Sequence, residues 1–260
     1  MSSAVLARPD VPALIFDCDG VLADTEKDGH LPAFNDAFAE FDLPIHWDEA
    51  TYAEKLKIGG GKERIASEFD DGGERTDLIK QLHARKTQLF TARVAAGLLP
   101  GRPGIHRLIG DVLAHGWTVA VASTSAEPSV RAVLEHAVGA ELAGRCHVFA
   151  GDIVAKKKPA PDIYLKVLDD LGLDPAACVV VEDSGIGVAA ARGAGLTTIV
   201  TVSSFTADDD FTGAALVLNH LGDPGNPLTL IAAPAGVRPD GMVTQDHLEQ
   251  LLPTNQEETR

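Results

Sequence analysis

The run Leu14-Ile15-Phe16-Asp17-Cys18-Asp19-Gly20-Val21 sets two carboxylates and a glycine directly after a short apolar stretch. Residues 11–16 read as a strand, and a run that is apolar at every position suits a parallel sheet covered on both faces. Ligands of open α/β sheets bind at the carboxyl ends of the strands, so Asp17 and Asp19 can serve one site. Two acids this close repel each other unless a cation lies between them, and magnesium, a hard ion that prefers oxygen ligands, meets that need. Taken alone, the run reads more simply as an Asp-rich turn after a strand.

Working outward, four more β-branched, apolar runs recur at 118–122, 146–150, 178–182 and 197–202. Stretches of helical periodicity separate them, at 105–115, 127–138, 162–171 and 186–194. In the third of these Ile163, Val167 and Leu171 share a face, after a Pro161 suited to a first turn. The alternation predicts an α/β fold with a Rossmann-like parallel-sheet core. From 26 to 99 it breaks, and 33–41, 65–69 and 78–96 read as helices, an all-helical cap inserted after the first strand. The stretch Leu99-Pro100-Gly101-Arg102-Pro103-Gly104 punctuates the return to the core. The expected division is a core of residues 1–25 and 100–222, a cap of 26–99, and a C-terminal extension of 223–260 with one short helix at 245–252.

Composition narrows the function. The 260 residues are 45% hydrophobic and 23% charged, which suits an ordered globular protein, and their net charge of -16 repels nucleic acid. A phosphorylated small molecule would need a local cation or a metal. Cys18, Cys146 and Cys178 are an odd number with no Cys/His cluster, so neither a disulfide framework nor a zinc site is expected. No run approaches the roughly 18 apolar residues of a membrane span. A monomer in a reducing cytoplasm is the expectation, or in a plastid stroma if a targeting segment has been removed.

Three further groups stand at expected strand ends. Ser123, followed by Thr124, can hydrogen-bond a phosphoryl oxygen beside helix-terminal amides, or simply cap the helix. In Lys156-Lys157-Lys158-Pro159 the proline stiffens the backbone and can aim Lys158 at a phosphate, where the plain alternative is a solvated loop. Glu182 and Asp183 can complete a magnesium site with Asp17 and Asp19. Within the cap, Gly59-Gly60-Gly61-Lys62-Glu63-Arg64 reads as a flexible, amide-rich loop with two cations, an anion receptor or else an exposed link to a helix.

The four motifs, in this order, resemble the haloacid dehalogenase superfamily over most of residues 13–202. The resemblance implies that Asp17 attacks phosphorus to form an aspartyl-phosphate while Asp19 acts as general acid and then base. It further implies that Mg2+ and Lys158 neutralise charge and that Ser123 orients the group. The cap stretches Asp24-Thr25-Glu26-Lys27-Asp28-Gly29-His30 and Lys57-Ile58-Gly59-Gly60-Gly61-Lys62-Glu63-Arg64 resemble those of CbbY-type members, which dephosphorylate xylulose 1,5-bisphosphate, an inhibitor of RuBisCO. From this Glu26 and His30 are expected on sugar hydroxyls and Lys62 and Arg64 on the distal phosphate, with Lys57 and Gly61 as further substrate-binding residues of the cap. Leu31-Pro32 follows His30 where the family commonly has an arginine, and Pro32 is expected to begin a cap helix. A sugar phosphomutase or a phosphoglycolate phosphatase would use the same chemistry. A non-catalytic binding module would be expected to have lost a central carboxylate, and Asp17, Asp19 and Asp183 are all present. Cys18 is expected to pack as a small apolar group.

Overall fold

The computed structural model describes residues 11–69 and 75–253; the expectations for 1–10 and for the polar end from 254 lie outside the described residues. The five expected strands form: β1 Ala13–Phe16, β2 Thr118–Ser123, β3 His147–Ala150, β4 Cys178–Glu182 and β5 Thr197–Thr201. They pair in parallel in the order β3-β2-β1-β4-β5, which puts β1 in the middle. Leu14 and Phe16 enter the apolar cluster on one face, and Ala13 and Ile15 enter that on the other, all fully buried. Burial on both faces is why β1 reads as one continuous apolar run. Each large side chain so buried contributes about 1.5–3 kcal/mol.

Helices α5 (Ile105–Ala114) and α6 (Glu127–Ala143) cover the first face, and α7 (Asp162–Leu171) and α8 (Gly185–Gly193) the second. Two strands the sequence did not announce extend the sheet: β6, Leu216–Leu218, parallel to β5, and β7, Leu230–Ala232, antiparallel to β6. Three residues are too few for a periodic signal. The region expected as an extension after 222 therefore supplies an edge strand, and α9 (Gln245–Leu251) packs on α5 through Leu248 and Leu251.

Between Glu26 and Ala95 the regular elements among the described residues are all helices: a π-helical turn Glu26–His30, then α1 (Leu31–Glu40), α2 (Glu49–Leu56), α3 (Gly61–Ala66) and α4 (Thr76–Ala95). Pro32 lies in the first turn of α1, but helical backbone begins earlier, at Glu26. Helix α2 escapes a periodicity reading because Tyr52 is its buried residue; its sign is the cap at Asp48, whose carboxylate accepts from Thr51 N at 2.7 Å. These helices build their own core, in which Trp47 lies 4.9 Å from both Phe34 and Phe38. The chain enters and leaves this helical unit side by side, with Ala23 bridged to Gly101 and Arg102 N donating to Leu22 O at 2.9 Å.

Candidate active site

Because β1 is flanked by β2 and β4 in parallel register, the residues that follow all three open onto one rim. Asp17 N donates to Val181 O at 2.9 Å, which fixes the start of the loop. Above the rim is a cavity of about 460 Å³, lined from the sheet by Asp17, Asp19, Ser123, Thr124, Lys158 and Asp183. From the helices it is lined by Glu26, His30, Lys57, Gly61 and Arg64.

Lys158 is the electrostatic centre. Its buried ammonium donates to Asp17 Oδ1 and Glu182 Oε1, both at 2.7 Å, and to Ala122 O at 3.1 Å. Glu182, with no exposure, also accepts from Tyr164 OH and from Asp183 N at 3.2 Å, so both its oxygens are committed. Asp183 Oδ2 accepts from Ser203 Oγ at 2.6 Å. Carboxylate oxygens of Asp17, Glu182 and Asp183 lie within 4.8 Å of one another. Burial pushes the Asp17 carboxyl up to about 7 despite the opposing pull of Lys158. Burial, then the charges of Glu182 and Asp17, pushes Asp183 well above its usual range. Three buried carboxylates, two of them on one ammonium, form a set that a divalent cation fits, with oxygen donors to spare on Asp17 and Asp183.

Asp19, expected among the metal ligands, turns its carboxylate elsewhere. It accepts from Thr25 Oγ1 at 2.6 Å, His30 Nε2 at 2.7 Å and Ser125 Oγ, and groups with Glu26 and His30. The two-residue alternation that would align it with Asp17 holds only while the chain is extended. Here Leu22 N donates to Cys18 O at 2.9 Å and Gly20 has φ +77, so a turn swings Asp19 toward the helices. A Cβ on Gly20 would lie 2.0 Å from Asp183 Oδ2, so this close approach requires glycine. Burial opposes ionisation of Asp19, but His30 and the hydrogen bonds from His30, Ser125 and Thr25 hold its carboxyl well below the usual range. His30 stacks on Phe90 at 3.9 Å and meets Lys86 Nζ through Nδ1 at 2.7 Å. An ammonium can only donate, so the ring proton is assigned to Nε2, facing Asp19.

The helical side also differs from expectation. The glycine-led stretch is not wholly a loop: Gly61–Ala66 is helix α3, begun after Gly60 at φ +100. Residues two apart on a helix do not share a face. Arg64 therefore turns into the cavity, near Glu26 (3.7 Å) and donating to Ile58 O at 2.9 Å, whereas Lys62 pairs with Asp152 beside an adjoining cavity of about 360 Å³. Glu26 accepts from Tyr52 OH, and the Lys57 ammonium is engaged by Glu54 at 2.7 Å. Cys18 is buried, its thiol pushed well up by burial and then by Asp19 and Asp17, as its apolar role requires.

Sequence reasoning missed Thr25, Lys86, Ser125, Tyr164 and Ser203. Thr25 sits inside a stretch already singled out, and Ser125 directly follows Ser123-Thr124. The other three meet their partners across 18 or more positions and leave no local signal.

A buried aspartate after a central parallel strand, backed by a lysine, a strand-end serine and a second acidic pair, defines a hydrolase class. The haloacid dehalogenase-like hydrolase family matches residues 11–195, and the chain belongs to it. Within that family it is a phosphatase similar to CbbY proteins. It is 50% identical over 233 residues to a CBBY-like protein of Arabidopsis thaliana, covering 86% of this chain and 72% of the relative. It is 47% identical over 224 residues to the plasmid CbbY of Cupriavidus necator, covering 83% and 88%. A solved structure of a CbbY variant from Rhodobacter sphaeroides, in complex with xylulose 1,5-bisphosphate, superposes with a TM-score of 0.76 at 39% identity, covering 81% of this chain and 94% of that one. Among the described residues no helix is long and apolar enough to cross a membrane.

Proposed function

We propose that this chain is a magnesium-dependent phosphatase of a small sugar bisphosphate, with xylulose 1,5-bisphosphate as substrate and xylulose 5-phosphate as product. The observation that carries the reading is the Asp17 carboxylate, 2.7 Å from the Lys158 ammonium and within reach of Asp183, at the floor of a cavity walled by the helices. Asp17 attacks phosphorus as the ester P–O bond breaks, and Asp19, ionised in the free site, takes up a proton from solvent as substrate binds and gives it to the leaving sugar oxygen. Asp19 then takes a proton from the water that attacks phosphorus, the aspartyl P–O bond breaks, and phosphate leaves. The hydrogen bonds from Thr25, His30 and Ser125 favour the ionised Asp19 that this second step needs.

Asp17 and Asp183 would hold Mg2+, which when bound supplies positive charge to the transferring phosphoryl group. Glu182 serves that site through Lys158, keeping the ammonium beside Asp17. Ser123 and Thr124 would orient the phosphoryl oxygens. Glu26, His30 and Arg64 line the cavity where the sugar and its distal phosphate would lie. The solved CbbY complex with the same bisphosphate supports the choice of substrate. The expected division into core and cap fits this arrangement, since the cavity lies between the sheet's rim and the helices.

The test is phosphate release from xylulose 1,5-bisphosphate, ribulose 1,5-bisphosphate, β-glucose 1-phosphate and phosphoglycolate, each with magnesium and with a chelator. Magnesium-dependent preference for the xylulose compound is expected. Preference for another phosphate would discard the substrate while leaving the Asp17 chemistry.

A further inference from the structure

Arg102 lies where the chain returns from the helices to the sheet, and its guanidinium meets carbonyl oxygens alone. Nη1 donates to Gly20 O and to Thr201 O at 2.9 Å; Nη2 donates to Val202 O at 2.6 Å and to Asn219 O. One side chain thus joins the turn after Asp19, the end of β5 with the residue beyond it, and the residue that follows β6. Its planar fork can serve four acceptors at once, which the three donors of a lysine, set on a single atom, cannot.

Two of the joined segments form the walls of the Asp183 carboxylate. Gly20 packs against Asp183 Oδ2, with no room for a Cβ. Ser203, the neighbour of Val202, donates to the same oxygen at 2.6 Å and is itself held by Thr206, whose Oγ1 accepts from Ser203 N at 2.9 Å. Without Arg102 the carbonyls of Gly20 and Val202 would lose the side chain that ties them together, and both walls of Asp183 would be free to part. Burial weakens the hold of Arg102 on its proton, the charges of Asp24 and Asp183 offset this only in part, and no carboxylate forms an ion pair with it among the described residues, so the cation is kept there at a cost. Its return is geometric.

We propose that Arg102 is a positioning residue for the metal site: by clamping the Gly20 and Val202 carbonyls it fixes the direction in which Asp183 meets a cation shared with Asp17. This rests on the metal reading above. The test is Mn2+ binding to the full-length chain, followed by the loss of the free-ion electron paramagnetic resonance signal, for the unaltered protein, Arg102→Lys and Arg102→Gln. Circular dichroism checks the fold of each variant. Partners that orient metal ligands are typically worth about 10–100-fold in affinity, so a roughly tenfold weaker Mn2+ affinity is expected for Arg102→Lys. Phosphate release should then be lost at limiting Mn2+ and regained in excess, which a general loss of structure would not give. If the unaltered chain fails to bind Mn2+, the metal reading itself falls and takes this one with it. If the unaltered chain binds and the folded variants bind equally well, Arg102 is not a positioning residue. Unfolding of both variants would overturn the proposal too, by making Arg102 a support of the whole fold.

Discussion

Replacing Lys158 with methionine keeps the stem and removes the one ammonium that faces Asp17 and Glu182 at 2.7 Å each. Removing one partner of a buried ion pair costs about 3–5 kcal/mol, because the charge left behind has no solvent. For a chain of this size each kcal/mol moves Tm by about 2–4 °C, so the loss at pH 8 in a chelator is roughly 6–20 °C. The pH dependence gives the sharper check. Asp17 stands at about 7 even beside the ammonium, above its ordinary value of 3.8, and loss of Lys158 removes the positive charge that opposes the rise. Up to about pH 7 both folded proteins hold the Asp17 proton; above it the parent releases that proton and the variant, whose value is higher still, keeps it, so the variant's deficit grows as pH rises above 7. The deficit should be large at pH 8 and shrink toward pH 5, where the buried carboxyl is neutral. Paired thermal melts of the two proteins at both pH values measure it. A variant as stable as its parent at pH 8, or a deficit that does not shrink at pH 5, would refute the reasoning. Loss of the ammonium beside the transferring group should also lower kcat by about 10²–10³.

Asp17→Asn should fold normally and release no phosphate above background; turnover by a folded variant would exclude Asp17 as nucleophile. Mn2+ affinity should fall as pH drops through about 7, by about tenfold per pH unit for each ligand proton, since the Asp17 carboxylate, raised to about 7, must be ionised to bind. Affinity independent of pH from 5.5 to 8 would mean that Asp17 is not a ligand. Gly60→Ala should cost about 1–3 kcal/mol, because φ is +100 and its Cβ would lie 2.6 Å from Lys157 Nζ and 2.2 Å from Glu63 Oε2. Denaturant unfolding and a rise in KM larger than the fall in kcat would register that misplacement of α3 against the sheet.

The sequence by itself determined the five parallel strands, because burial on both faces writes a continuous apolar run that needs no knowledge of neighbours. It also determined where the chemistry lies, since Asp17, Ser123 and Glu182 are named by their position at strand ends, and it showed the helical insertion by the break in alternation. Tertiary structure decided what those residues face. Asp19 leaves Asp17 because a turn at Gly20 ends the extended backbone, and Lys62 parts from Arg64 because what read as a loop is helix. Strand β6 needed β5 to pair with, and β7 needed β6, as three residues carry no period of their own. Ser203, Tyr164, Lys86 and Arg102 acquire their roles from partners distant in sequence. Such pairings depend on strand register and helix packing, which no local pattern of residue types encodes.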